Sequence, residues 1–280
     1  MSQLGYLPND LTAIRTSSTK FPTSTRTPTM DRRAWISGTI TSTVGTAAMV
    51  FNTPQSCQAL EPQRAASDYD AYAAKYDQLD GGQASSALGI DEARTKLLSQ
   101  ASGNVLEIGA GTGLNLDKYD PQRLESLTLV DISNGMLKEA RTRIENGQLL
   151  RNVEVKFMQA DATSELVSLF GENHFDTVVD SFSLCVMGNE GAKRCLVQMR
   201  QVVKSGTGRI LLLENSRSSN PLLGLYQDVT ADAAASVGGK GCVYNQNVRG
   251  MIEATPQLQV DREETYAAGL FRSFQISKVA

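Results

Sequence analysis

At 280 residues, with 41% hydrophobic and 20% charged side chains, the chain can build one sizeable soluble core. Its net charge of −3 is uneven: residues 1–59 carry five basic and two acidic side chains, leaving 22 basic and 28 acidic in residues 60–280. An acidic body with no basic cluster argues against a nucleic-acid duplex partner, whose binding depends on Lys and Arg meeting phosphates. The four cysteines (Cys57, Cys185, Cys195, Cys242) show no C-x-x-C spacing, so neither a disulfide framework nor a structural zinc is expected, and no other metal site is. The single histidine, His174, rules out a two-histidine metal site and reads as a surface residue in a turn.

Residues 1–30 hold eleven Ser or Thr and one acid, a composition that cannot bury enough surface to fold. Arg32 and Arg33 then precede 18 uncharged residues, Ala34 to Phe51, and Cys57-Gln58-Ala59 has the small-residue look of a cleavage site. We therefore expect residues 1–59 to be a targeting segment, a transit peptide followed by a twin-arginine-like signal. That implies a plastid protein, in the thylakoid lumen, in the stroma or attached to a membrane. A retained anchor in plastid or mitochondrial inner membrane stays open, as does a plain disordered tail. The folded domain is expected to span residues 60–280.

Within that domain "DEARTKLLSQ" (91–100) predicts a helix and "NVLEIG" (104–109) a strand ending in glycines. A second strand is predicted at 127–131, then a helix capped by Ser133, and a third strand at 153–161. A fourth strand at 175–183, a helix at 190–204 and a fifth strand at 208–215 follow. Apolar strands alternating with helices call for a parallel sheet covered on both faces. Two alternating stretches joined at Gly269 predict an antiparallel hairpin that closes the sheet. The fold class is α/β: a Rossmann-like, seven-stranded, mostly parallel sheet with a C-terminal antiparallel hairpin.

The stretch "VLEIGAGTGLNLDKYD" (105–120) carries the chemistry. A dinucleotide fingerprint needs G-x-G-x-x-G, and both frames fail, at Leu114 and at Leu116. What stands instead is Glu107 two residues ahead of Gly109-x-Gly111-x-Gly113. Glycines still let a ligand approach the backbone, while an acid at that place would repel a pyrophosphate and suit an amino group.

This loop resembles the signature of the class I S-adenosylmethionine-dependent methyltransferases. The resemblance implies that Glu107, Gly109, Gly111 and Gly113 face the methionine and ribose part of the cofactor. It also implies that Asp131 accepts both ribose hydroxyls, that Asp161 and Ala162 meet the adenine, and that Ile132 and Met136 pack around it. Upstream, Tyr69, Ala73, Tyr76 and Asp77 match an F/Y-x-x-x-A-x-x-Y-D pattern of quinone-biosynthesis methyltransferases, where such a helix lies over the cofactor. Tyr69 and Tyr76, two helical turns apart, would share one face. Glu214 and the Gly241-Cys242-Val243-Tyr244-Asn245 segment are similar to a membrane-associated branch that includes small-thiol methyltransferases; peripheral membrane contact is an expectation from it.

The function implied is transfer of a methyl group from S-adenosylmethionine to a small, apolar acceptor, a quinone, phenol or thiol. A nicotinamide-dependent oxidoreductase and a non-catalytic cofactor-binding scaffold are the alternatives. Residues 216–240 are expected to form an acceptor-facing lid. If the acceptor must lose a proton, Tyr69, Tyr76, Asp180 and Glu214 are candidate bases, with no sequence signal to choose among them. Cys185 reads as a small buried hydrophobe.

Overall fold

The computed structural model describes residues 61–80, 88–236 and 241–279. The targeting segment expected at 1–59 lies outside the described residues, as does Cys57. Strands β1 (Gly103–Ile108), β2 (Leu124–Asp131), β3 (Glu154–Gln159), β4 (Thr177–Ser181) and β5 (Arg209–Asn215) pair in parallel. Strands β6 (Leu258–Tyr266) and β7 (Phe271–Lys278) form the hairpin, and β7 runs antiparallel to β5. The sheet order is β3-β2-β1-β4-β5-β7-β6. Order reverses between β1 and β4, and crevices at the C-terminal ends of strands flanking such a switch point are where ligands bind.

Side chains alternate across each strand, so each strand feeds two cores. Leu106, Ile108, Val178, Ile210, Leu212 and Phe274 face one side. There they pack on helix α6 (Gly188–Val202) and helix α8 (Val248–Ala254) through Leu196, Met199 and Ile252. Val105, Leu127, Leu129, Val179, Leu211 and Leu213 face the other side. Their partners are Leu97 and Leu98 of helix α3 (Ile90–Leu98) and Leu137 and Ala140 of helix α4 (Asn134–Gly147). The remaining α-helices among the described residues are α1 (Pro62–Tyr72), α2 (Tyr76–Asp80), α5 (Leu166–Phe170) and α7 (Pro221–Ser236).

Three local departures from the sequence reading have physical causes. The fourth strand stops at Ser181 rather than 183, because Phe182 turns into the left-handed region at φ 61°. The helix over Tyr69 and Tyr76 is not continuous: α1 ends at Tyr72, a 3₁₀ turn spans Ala73–Lys75, and α2 restarts at Tyr76. The tighter turn still leaves the Tyr69 and Tyr76 rings 6.5 Å apart. Third, none of the described residues of 216–240 lines the cavity of the candidate site. Gln227 fastens α7 to the Ser216 and Tyr244 carbonyls, and Arg217 pairs with Asp228, so the segment caps the end of β5.

Candidate active site

The site grows from the end of β1. Gly109, Gly111 and Gly113 all take positive φ (60°, 55° and 80°), which an L side chain adopts only with strain. Two of the three matter for different reasons. A β-carbon on Gly109 would fall 2.3 Å from the Ser183 β-carbon, so the β4 exit passes directly over the loop. A β-carbon on Gly111 would meet only the Gly109 carbonyl oxygen, at 3.9 Å. That open face is where a ligand can approach the backbone.

Asp131, at the end of β2, is tied to this loop. Its Oδ2 accepts the Gly111 N–H at 2.8 Å and its Oδ1 accepts the Ser133 N–H at 2.9 Å. Ser133 in turn caps α4, its Oγ accepting the Met136 N–H at 3.0 Å. Burial raises the Asp131 carboxyl to about 6, against the two backbone donors that favour its ionised form.

A cavity opens between the strand ends and α1. Its inner wall is Gly109, Gly111, Asp131, Ile132, Met136, Asp161 and Ala162; its roof is Ala65, Tyr69 and Tyr76. Ser181, Phe182, Ser183, Val186 and Met187 form the side nearest β4. Nine of the eleven residues singled out from the sequence therefore line one cavity. Glu107 and Gly113 do not. Glu107 is 1% exposed and accepts from Asn115 Nδ2 at 2.9 Å and from the Tyr119 hydroxyl at 2.8 Å. Burial pushes its carboxyl up to about 7, partly offset by those two donors. Asp161 lines the cavity and also holds its own turn, accepting the Thr163 N–H at 2.8 Å and the Ser164 hydroxyl at 3.1 Å.

Of the four candidate bases, only the two tyrosines reach the cavity. Burial pushes both phenols well above their usual range, so both stay protonated and can donate hydrogen bonds. Asp180 and Glu214 are fully buried behind the wall. Cys185 is buried as expected and does not line the cavity; its sulfur and that of Cys242 each lie 3.4 Å from Asn215 Nδ2. His174 is exposed, as expected, and leans on Phe175.

Two latches that the sequence reading missed hold the roof. Asp70 Oδ1 accepts from Ser133 Oγ at 2.6 Å and from the Gly135 N–H at 2.7 Å, pinning α1 to the start of α4. Asp77 accepts from Thr112 Oγ1 at 2.6 Å and pairs with Arg143. The signal was present: each acid directly follows one of the two roof tyrosines, so the seven-residue spacing of the rings repeats in the latches.

Residues 105–206 match a family described as a methyltransferase domain. Among curated relatives, the ubiquinone/menaquinone biosynthesis C-methyltransferase UbiE of Azotobacter vinelandii is 39% identical over 140 residues, covering 49% of this chain and 51% of that protein. UbiE of Ectopseudomonas mendocina is 32% identical over 186 residues, covering 64% and 68%. The chain spans about half the length of the first curated relatives it matches. Two solved structures share the fold. The [4+2]-cyclase SpnF superposes with a TM-score of 0.60 at 13% identity, covering 79% of this chain and 98% of its own. The N-methyltransferase NodS of Bradyrhizobium japonicum, in complex with S-adenosyl-L-homocysteine, gives 0.53 at 17% identity, covering 76% and 97%. The glycine loop, the acid closing β2, the reversed hairpin and these relatives agree: the chain belongs to the class I S-adenosylmethionine-dependent methyltransferases.

Proposed function

We propose that this chain moves the methyl group of S-adenosylmethionine onto a small apolar acceptor, with a ring carbon of a quinone or phenol as the favoured target. The curated relatives' C-methyltransferase names support the choice of carbon. The observation that carries the proposal is the cavity itself, which joins a nucleoside cradle to an apolar and aromatic wall. Among the described residues its charged lining besides Asp131 and Asp161 is confined to Glu61 and Arg194, both exposed at the rim.

The residues fit the cofactor. The open face of Gly111 admits a ligand where a side chain would stand, and Asp131 has the carboxylate chemistry to accept two ribose hydroxyls in charge-assisted hydrogen bonds. Asp161, Ala162, Ile132 and Met136 supply one acceptor and an apolar surround suited to an adenine. When bound, the cofactor supplies an electrophilic methyl group on a sulfonium. The chain's own work is to bind, orient and exclude water. The roof rings Tyr69 and Tyr76 cover the cavity and have π faces suited to a cation, while the Phe182 ring on the β4 side already carries Arg94 over one face. Holding two reactants in one dry, oriented site can supply on the order of 7–11 kcal/mol toward a displacement reaction. The protonated phenols can donate to an acceptor oxygen and orient it.

The test uses the full chain, isotope-labelled S-adenosylmethionine and a panel of quinol, phenol and thiol acceptors, with the product read by mass spectrometry. A ring-methylated product is the expected result. A product methylated only on sulfur would overturn the carbon assignment. Binding of S-adenosylhomocysteine with no turnover on any acceptor would instead favour a cofactor-binding scaffold. Asp131→Ala, which strips the acceptor from Gly111 and Ser133, should weaken S-adenosylhomocysteine binding by roughly tenfold or more. Unchanged affinity in a folded variant would displace the ribose from Asp131.

A further inference from the structure

Behind the β4 wall lies a pair of acids that the chemistry above does not use. Asp180 and Glu214 sit near the ends of neighbouring parallel strands, Asp180 in register with Leu212, and both are fully buried. Asp180 Oδ1 accepts the Ser183 N–H at 3.2 Å and its Oδ2 accepts the Ser183 hydroxyl at 2.7 Å. Glu214 Oε1 accepts the same Ser183 N–H at 3.1 Å and the Leu184 N–H at 3.4 Å. Three backbone or hydroxyl donors of one turn thus converge on two carboxyl groups.

The fourth oxygen settles the charge. Among the described residues no donor faces the buried Glu214 Oε2, while Glu214 Oε1 and Asp180 Oδ1 lie 3.1 and 3.2 Å from the one Ser183 nitrogen. Two buried carboxylates converging on one N–H would repel each other unless one kept a proton. Among the described residues the titratable groups acting on them carry no positive charge: Glu107 approaches from β1, Cys195 from α6, and the Cys185 and Cys242 thiols from the two flanking loops, while Arg94 of α3 lies over the Phe182 ring of the same turn. A proton on Glu214 Oε2, donated to Asp180, satisfies that oxygen and leaves one negative charge shared among the Ser183 and Leu184 donors.

This turn needs holding. Phe182 is an aromatic residue at φ 61°, and Ser183 packs against the face of Gly109 that has room for no β-carbon. Phe182, Ser183, Val186 and Met187 are the cavity's β4 side. We propose that Asp180 and Glu214 form a one-proton clamp which, through Ser183 and Leu184, positions this wall over the glycine loop. They are positioning residues: both are sealed from the cavity and touch neither cofactor nor acceptor. The inference rests on the methyltransferase reading of the cavity. Its readout is cofactor affinity, so an error about the acceptor and an error about the clamp give different results.

The experiment measures S-adenosylhomocysteine binding calorimetrically in the full chain, for wild type, Glu214→Gln and Glu214→Ala, from neutral to alkaline pH. Glutamine keeps an oxygen for the two backbone donors and an amide N–H for Asp180, so at neutral pH it should bind within about threefold of wild type. Alanine removes both and should bind at least about tenfold more weakly, with cooperative unfolding retained. In wild type, affinity should fall on the alkaline side as the shared proton leaves; in Glu214→Gln it should stay flat. Wild-type affinity in Glu214→Ala overturns the clamp, as does an alkaline fall of equal size in Glu214→Gln. If Glu214→Ala does not fold, the comparison of wild type with Glu214→Gln across pH decides alone.

Discussion

Glu107→Gln should make this protein more stable, by an amount that depends on pH. The carboxyl is 1% exposed and burial raises it from an ordinary 4.5 to about 7, even with the Asn115 and Tyr119 donors in place. A raised carboxyl binds protons more tightly in the folded state than in the unfolded one. Stability is therefore fully present below the unfolded value and is lost as pH rises through the folded one. At roughly 1.4 kcal/mol per unit, the ionised side chain costs about 3 kcal/mol at pH 8 and under about 1 kcal/mol at pH 5. Glutamine imitates the neutral acid, with its oxygen able to accept from Asn115 and its amide able to donate to the tyrosine oxygen. The variant should gain about 2–3 kcal/mol at pH 8, a rise in melting temperature on the order of 5–10 °C, and much less at pH 5. Urea unfolding at the two pH values is the assay. A difference between variant and wild type that does not change with pH, or a variant less stable at pH 8, would refute the reasoning. Because Glu107 is shielded by Asn115 and Tyr119, cofactor affinity is a separate measurement, and a large loss there would restore Glu107 as a ligand contact.

Gly109→Ala forces a β-carbon onto Ser183 and should weaken S-adenosylhomocysteine binding; adding Ser183→Gly should recover part of the loss, the strain at positive φ remaining. Asp77→Ala releases one roof latch and should weaken cofactor binding only a few-fold, about 1 kcal/mol, while deuterium uptake rises over residues 61–78 and the melting temperature barely moves. S-adenosylhomocysteine affinity should climb with pH up to about 6 and then level through neutral pH, ahead of the alkaline fall expected from the clamp, because ribose hydroxyls favour the ionised form of Asp131; calorimetry in buffers of different ionisation enthalpy should show proton release near pH 6.

The fold was legible because each strand carries its own signal. Leu127, Leu129 and Val130 read as a strand buried on both faces, and the exposed Gln259 and Asp261 alternate with the inward Leu258 and Val260 up to the bulge at Val260–Arg262. The cradle was legible because glycine and acid spacing is local, so Gly111 and Asp131 were found although 20 residues separate them. What could not be read were pairings made by tertiary approach. Nothing in "NLDKYD" says that Asn115 and Tyr119 turn back to claim Glu107, and nothing in "DSFSL" says that Phe182 reverses the chain so that Ser183 covers Gly109. The 3₁₀ turn at Ala73–Lys75 was also hidden, since "AYAAKYD" is rich in alanine and holds no Gly or Pro to break a helix. There, the docking of Asp70 and Asp77 at two fixed points overrides local propensity.

The buried acids share one placement and one consequence. Glu107, Asp131, Asp180 and Glu214 lie at or near the C-terminal ends of β1, β2, β4 and β5, and burial raises the pKa of each. Each is held by neutral donors, amides and hydroxyls: Asn115 and Tyr119, Gly111 and Ser133, Ser183 and Leu184. Arg94 offsets the burial of Glu107 only in part; a cation hydrogen-bonded to any of the four acids would stabilise the folded chain more, and it would also repel a cofactor that carries positive charge on its sulfonium and amino groups. Neutral donors keep the cavity's field negative, at a cost in stability that Glu107→Gln is expected to recover. The same substitution therefore measures how much of the fold's stability is given up to keep the site acidic.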